Sequence, residues 1–305
     1  MKSLSVVATI YNDAQIVPVL VDAIIKNIPS NINKYEIILV NDSSPDNSED
    51  AIIKECEKNP NVKGISLNRN FGQQIAMSAG MNHATGDYIL IMDGDMQNPP
   101  TEIPNLLNKI QEGFDIVYTV SKQRNGVLDS LTSYVFWAIL TTLFKVKIVK
   151  NQLMLKVMTK EFVARFNRYQ EINRTIDGVV ADISSNYAVL DVENKKRSVG
   201  RSNYNFSKRM ALMLDMVISM SNTPLNFLIY LGLIIFILTI FAFLYYIYSY
   251  VFDSVPPGYT STQISIFLFG GLNVLILGII GRYLSNIYTE VRQRPLFHVK
   301  KTYNF

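Results

Sequence analysis

Between residues 4 and 120, short β-rich runs alternate regularly with segments of helical period, and this alternation leaves the chain few ways to fold. Leu4–Ile10, Tyr35–Asn41, Val62–Leu67, Tyr88–Met92 and Asp115–Val120 read as strands, with helices over Ala14–Asn27, Asp46–Asn59, Phe71–Ala84 and Pro100–Glu112. Such a succession predicts an α/β domain whose mainly parallel, Rossmann-like sheet is covered by helices. In open α/β sheets, ligands bind beyond the carboxyl ends of the strands. Polar clusters fall at those ends: Tyr11-Asn12-Asp13, Asn41-Asp42-Ser43-Ser44, Asn68-Arg69-Asn70 and Asp93-Gly94-Asp95-Met96-Gln97. Neither a G-x-G-x-x-G nor a Walker-type loop is present, which speaks against a dinucleotide or P-loop domain.

The second half of the chain has a different character. No residue between Asp215 and Asp253 is charged, and Phe227–Phe252 exceeds the roughly 20 apolar residues that a membrane-spanning helix needs. A further apolar run, Ile264–Gly281, ends at Arg282, and the connector Asp253–Gln263 holds no Lys or Arg. Arg282, Arg292, Arg294, Lys300 and Lys301 then stand against Glu290. The positive-inside tendency therefore predicts a hairpin over 224–288, with spans at about 227–252 and 264–284, and a basic cytoplasmic tail over 289–305. Residues 205–223 read as a juxtamembrane amphipathic helix. The aromatic stretch Val127–Phe144, followed by Lys145, Lys147 and Lys150, reads either as a helix in the membrane interface or as a buried core helix. Residues 1–204 are left for the soluble domain.

Lys and Arg number 29 against 25 acidic residues, too small an excess for a nucleic-acid protein unless it is concentrated. It is concentrated in Lys195–Arg209, whose place just before an apolar span fits anionic lipid head groups rather than nucleic acid. Cys56 is the only cysteine, so no intrachain disulfide forms and a reducing compartment is expected. The first residues lack the long apolar core of a signal peptide. The expected location is the inner membrane, multi-pass, with the soluble domain and both termini in the cytoplasm.

Asp93-Gly94-Asp95 follows a strand, where two carboxylates on a short extended segment suit a hard divalent cation bridging phosphate oxygens. Asp95 and the amide of Gln97, two residues on, would reach the same ion from one side of an extended segment; Asp93 would be turned elsewhere at the strand end, toward a ribose. His83 and His298 are too isolated for a zinc site.

Together these segments resemble the family-2 glycosyltransferases of GT-A fold, and within them the polyprenyl-phosphate branch that includes dolichol-phosphate mannose synthase and bactoprenol glucosyltransferase. The resemblance covers residues 4–120. It is carried by Val6-Val7-Ala8-Thr9-Ile10-Tyr11-Asn12-Asp13, Val40-Asn41-Asp42-Ser43-Ser44-Pro45-Asp46, Asn68-Arg69-Asn70-Phe71-Gly72, Ala84-Thr85-Gly86-Asp87 and Asp93-Gly94-Asp95-Met96-Gln97-Asn98-Pro99-Pro100. It implies a UDP-, GDP- or dTDP-sugar donor, a polyprenyl phosphate acceptor, Mg²⁺ or Mn²⁺, and a homo-tetramer. Tyr11, Asp13, Asp42 and Arg69 would serve the donor base and ribose, and Asp93, Asp95 and Gln97 the ribose, metal and diphosphate. Lys122 and Arg124 would meet the acceptor phosphate, while Arg197 and Arg201, in Arg197-Ser198-Val199-Gly200-Arg201-Ser202-Asn203-Tyr204, would close over the phosphates. Thr9-Ile10-Tyr11-Asn12-Asp13 departs from the usual Pro-x-Tyr-Asn-Glu, and Asn151-Gln152-Leu153-Met154-Leu155 from a Gly-Asp-Phe-Arg-Leu type segment.

A phosphate monoester is already anionic near neutral pH, its second pKa being about 6. As nucleophile it needs no general base; Asp95 with its metal, Lys122, Arg124 and Arg201 would neutralise and align, and in-line attack would invert the anomeric carbon. An acceptor hydroxyl on a lipid-linked saccharide would instead need a carboxylate base, for which Asp177 and Asp182 are the candidates. A non-catalytic membrane scaffold is the third possibility, opposed by the intact Asp93, Asp95 and Gln97. A processive synthase is opposed by the absence of Gln-x-x-Arg-Trp, the sole tryptophan being Trp137 after Phe136.

Overall fold

The computed structural model describes residues 2–96, 98–121, 149, 152–171, 176–192 and 258–305, with Tyr230, Ile234, Phe241, Leu244 and Tyr248 as single helical positions. The chain divides into two compact units. One comprises Met1–Trp137, Lys147–Tyr204 and Arg294–Phe305; the other comprises Ala138–Val146 and Asn205–Gln293.

The first unit is an α/β layer structure. Its elements in order are β1 (Ser3–Ile10), α1 (Ile16–Lys26), β2 (Lys34–Asn41), α2 (Ser48–Lys58), β3 (Val62–Leu67), α3 (Gln73–His83) and β4 (Tyr88–Asp93). A 3-10 turn at Pro100–Glu102, α4 (Ile103–Ile110), β5 (Ile116–Ser121), β6 (Gln152–Thr159), α5 (Lys160–Phe166), α6 (Ile176–Ile183), β7 (Tyr187–Val192) and finally β8 (Val299–Tyr303) complete it. The eight strands lie in the order β7-β5-β6-β4-β1-β2-β3-β8.

The central strands read as unbroken apolar runs because both of their faces are covered. Val6, Ala8, Ile37, Leu39, Leu90 and Met92 pack with Leu20 and Ile24 of α1 and Leu106 and Leu107 of α4. Their neighbours Val7, Ile38, Val40, Ile89 and Ile91 turn the other way, against Ala76 and Met77 of α3 and Phe162 and Phe166 of α5. β1 pairs in parallel with both β2 and β4, and β2 with β3, as the strand–helix alternation predicts. β5 does not extend this parallel set: β6 lies between it and β4, antiparallel to both. The sheet is thus mixed, and β6, β7 and β8 are strands that the sequence pattern did not announce.

Glu36, buried on β2, ties four segments together. Its carboxylate accepts from Ser5 Oγ at 2.6 Å, Lys63 Nζ at 2.7 Å, Thr85 N at 2.7 Å and Thr85 Oγ1 at 2.8 Å. Next door, Gly86 N donates to Ser5 Oγ at 2.8 Å, and Asp87 accepts from Ser3 N at 2.7 Å. The Thr85-Gly86-Asp87 segment therefore aligns β4 on β1 and β2; it is scaffold.

The second unit is described through α7 (Tyr259–Val291), a helix of 33 residues and about 50 Å at 1.5 Å per residue. Ile266, Leu277, Ile280, Leu284, Ile287 and Val291 are exposed on it. Among the described residues no helix is long and apolar enough to cross a membrane. The expected span at 264–284 falls within α7. The expected span at 227–252 lies outside the described residues except for its isolated helical positions, as do the helices expected at 127–144 and 205–223.

Candidate active site

Three loops leave the carboxyl ends of β1, β2 and β4, and the first two are locked to one another by short polar contacts. Asn12 N donates to Ser44 Oγ at 3.1 Å, Asp13 N to Ser48 Oγ at 3.3 Å, and Ala14 N to the Asp46 carboxylate at 3.0 Å. Ser48 Oγ in turn donates to Asp46 at 2.6 Å, which holds the carboxyl of Asp46 below its ordinary value against the opposing effect of burial. Asn12, Ser43 and Met96 adopt positive φ of 56°, 55° and 56°, a conformation uncommon outside glycine, each just beyond a strand end. Gly94 is fixed by crowding, since a Cβ there would lie 2.5 Å from the carbonyl oxygen of Thr9. The glycine of the D-x-D segment lets the end of β4 lie against β1.

These loops enclose a cleft of about 290 Å³ lined by Thr9, Ile10, Tyr11, Asp13, Ile16, Asp42, Asn70, Gly72, Gln73, Asp93, Gly94 and Asp95. Of the residues expected in the donor site, Tyr11, Asp13, Asp42, Asp93 and Asp95 are brought together here. Asp42, only 3% exposed, accepts from the main-chain N–H groups of Phe71 and Gly72, both at 2.8 Å. Burial pushes its carboxyl above the ordinary value, and the two amides draw it only part of the way back. The carboxyl of Asp13 is also raised, by burial first and then by the charges of Asp46 and Asp95.

Gln73, which sequence reasoning overlooked, donates through its amide to Asp93, while Asn98 Nδ2 reaches the other Asp93 oxygen at 3.3 Å. The signal was present: Gln73 directly follows the Asn68–Gly72 motif and opens α3. Arg69 is not a lining residue; its guanidinium lies 4.5 Å from the ring centroid of Phe71. Gln97, Lys122, Arg124, Arg197 and Arg201 lie outside the described residues.

The two candidate bases are engaged elsewhere. Asp177, in the first turn of α6, pairs with the ammonium of Lys156, a side chain with no exposure in the middle of β6. Asp182 accepts from the Tyr169 hydroxyl at 2.8 Å.

The cleft's chemistry suits a divalent cation held partly by its ligand. Asp95 supplies a hard oxygen donor, and the push that Asp95 and Asp46 exert on Asp13 marks a concentration of negative charge that a cation relieves. Among the described residues no three His, Cys, Asp or Glu side chains form a metal cage. None is needed for Mg²⁺-like ions, which use one or two carboxylates together with phosphate oxygens.

Comparison with known proteins follows the same line. Residues 5–159 match the family model described as Glycosyl transferase family 2. An undecaprenyl-phosphate 4-deoxy-4-formamido-L-arabinose transferase of Shewanella sediminis is 32% identical over 305 residues, spanning 97% of this chain and 91% of its own length. The SfII prophage-derived bactoprenol glucosyl transferase of Shigella flexneri is 31% identical over 306 residues, spanning 98% of each chain. Among solved structures, a mannosyltransferase from Pyrobaculum calidifontis in complex with GDP-Man and Mn²⁺ shares the fold, with a TM-score of 0.52 at 16% identity over 94% of this chain and 84% of that one. Its sheet, its acid-lined cleft at the strand ends and the family match identify the chain as a glycosyltransferase, a member of glycosyl transferase family 2.

Proposed function

We propose that the chain transfers a sugar from a nucleotide-sugar to polyprenyl phosphate at the cytoplasmic leaflet, with inversion and with the help of Mg²⁺ or Mn²⁺. One observation carries this reading: relatives named for undecaprenyl phosphate and bactoprenol match along nearly the whole chain, its apolar C-terminal part included. The uncharged run over 227–252, the exposed apolar residues of α7 and the basic residues on either side support a hairpin anchor that keeps the cleft on the cytoplasmic side. Assembly as a homo-tetramer belongs to the same reading.

In this mechanism Asp42, held by the amides of Phe71 and Gly72, and Tyr11 receive the base, while Asp93, oriented by Gln73, meets the ribose. Asp95, with Gln97, would hold the cation. Held there, a divalent cation would offset the charge of the departing diphosphate. Lys122, Arg124, Arg197 and Arg201 draw the acceptor phosphate and the diphosphate together and stabilise the charge that moves between them. No proton has to be removed from the nucleophile. The engagement of Asp177 by Lys156 and of Asp182 by Tyr169 supports a phosphate acceptor over a hydroxyl, which would require one of them as base.

The test is incubation of the full chain with a panel of UDP-, GDP- and dTDP-sugars and radiolabelled polyprenyl phosphate. A labelled lipid that forms with one donor, and is lost in Arg124→Ala and Arg201→Ala by about 2–4 kcal/mol of acceptor use, is the expected result. Transfer only to a lipid-linked saccharide would overturn it.

A further inference from the structure

The last residues of the chain return to the sheet and reach the donor loop. β8 pairs antiparallel with the edge strand β3, in the register Gly64↔Tyr303, Ile65↔Thr302, Ser66↔Lys301 and Leu67↔Val299. Immediately beyond the paired segment, Asn68 N donates to the carbonyl oxygen of His298 at 3.1 Å, and the His298 ring lies 6.5 Å from that of Phe71. Phe297 packs on the same core cluster as Phe71. Asn68 and Phe71 belong to the loop whose Phe71 and Gly72 amides hold Asp42 in the cleft. A continuous set of contacts thus runs from the C-terminus, through loop 68–72, to the carboxylate assigned to the donor base.

The far end of β8 is anchored as firmly. Asn304, at φ 61°, donates from Nδ2 to the carbonyls of Cys56 at 2.6 Å and Val62 at 2.9 Å. Tyr303 OH donates to Glu49 at 2.9 Å, and Lys300 pairs with the same carboxylate at 3.2 Å. Gly64 makes room for the Tyr303 ring: a Cβ there would lie 2.9 Å from Tyr303 and 2.7 Å from Ile52. These contacts sit on α2 and the start of β3, on residues that do not line the cleft, so they fix the strand without touching ligand.

We infer that the segment Phe297–Phe305 is a positioning element for the nucleotide: by holding Asn68 and Phe71, it sets loop 68–72 and, through that loop, Asp42. The inference rests on the reading of the cleft as the nucleotide-sugar site. The consequence is that donor affinity depends on a contact at the end of the chain, whereas the rate at saturating donor does not.

Binding of UDP, GDP and dTDP in the presence of Mn²⁺, measured by calorimetry on the full chain, tests it together with donor KM and kcat. Asn304→Ala, which removes two hydrogen bonds that anchor β8, is expected to weaken the preferred nucleotide by up to about tenfold, and to raise donor KM alike with kcat within about twofold. Removal of residues 298–305 is expected to weaken binding further, and a synthetic peptide of that sequence added in trans to restore it, with the rise in donor KM at unchanged kcat separating positioning from a general loss of folded protein. Glu36→Gln, which loosens the sheet at another place, is expected to leave nucleotide affinity unchanged. Wild-type affinity in both Asn304→Ala and the truncated chain would overturn the positioning role alone. Failure of the wild-type chain to bind any of the three nucleotides would overturn the donor reading and this inference with it.

Discussion

The ammonium of Lys156, without solvent exposure in the interior strand β6, is matched by the carboxylate of Asp177 at the start of α6. Tyr118, whose hydroxyl is raised above its ordinary value chiefly by burial, contributes a ring face 5.4 Å from the same ammonium. Asp177 is therefore a counterion by construction. Asp177→Asn is expected to lower stability by about 3 kcal/mol, because it strands a buried charge, and Lys156→Met in the same chain to recover most of that loss. Denaturant midpoints give the first quantity. Transfer activity decides the chemistry: recovery in the double variant agrees with a phosphate acceptor, whereas a double variant that is stable yet inactive identifies Asp177 as a base.

Removal of the divalent cation by a chelator is expected to stop transfer, and Mg²⁺ or Mn²⁺ to restore it. Asp95→Asn keeps the shape and removes the charge, and is expected to reduce turnover about 10²–10³-fold, the scale of a lost electrostatic contact to a leaving group. The raised carboxyl of Asp13 adds a pH dependence. Because protonation neutralises it, metal-assisted nucleotide binding should weaken as pH falls through a value above the ordinary 3.8 of an aspartate. Binding isotherms at stepped pH measure this, and unchanged rates in excess chelator would remove the metal from the mechanism.

Glu36 gives the fold its own acid sensitivity. Burial opposes its ionisation, yet donors on Lys63, Ser5 and Thr85 outweigh that effect and hold the carboxyl below its ordinary 4.5. A depressed carboxylate contributes stability that is present above the unfolded-state value and is lost as pH falls through the folded-state value. Glu36→Gln is expected to cost about 2–3 kcal/mol at neutral pH, and to flatten the decline in thermal midpoint below pH 4.5. A variant as stable as wild type at neutral pH would contradict this account.

Topology is open to cysteine labelling. Cys56 is buried and its thiol is pushed up to about 11, by burial first and then by Glu55 and Glu57, so it should remain unlabelled in the folded chain at neutral pH. A cysteine at Ser254 should then react from outside the cell only. Reaction from the cytoplasmic side alone would exclude the hairpin.

The strands β1 to β4 were legible because central parallel strands carry apolar residues on both faces, and the site was legible because polar residues interrupt the chain where those strands end. β6 was hidden by Lys156, whose charge in mid-strand breaks the apolar run and is explained only by Asp177, distant in sequence. β8 was hidden for the opposite reason. Val299-Lys300-Lys301-Thr302-Tyr303 lies at a sheet edge, where charged residues are favoured as a guard against further pairing, and so it reads as a solvated basic tail. Gln73 was missed because an amide at the first turn of a helix looks like any other surface residue until Asp93 is seen beside it. The locking role of Asp46 likewise appears only when the loops after β1 and β2 are seen side by side.

The contact between Asn304 and Val62 joins residues 242 apart. At about 5–20 residues per second, a ribosome needs roughly 10–50 s to make the chain between them. Throughout that interval the outer hydrogen-bonding row of β3 stays bare, a surface that invites pairing with foreign strands. The cover arrives only when β8 has been made. A chain cut before Val299 would carry that open edge, so β8 acts as a seal on the sheet as well as a strand of it.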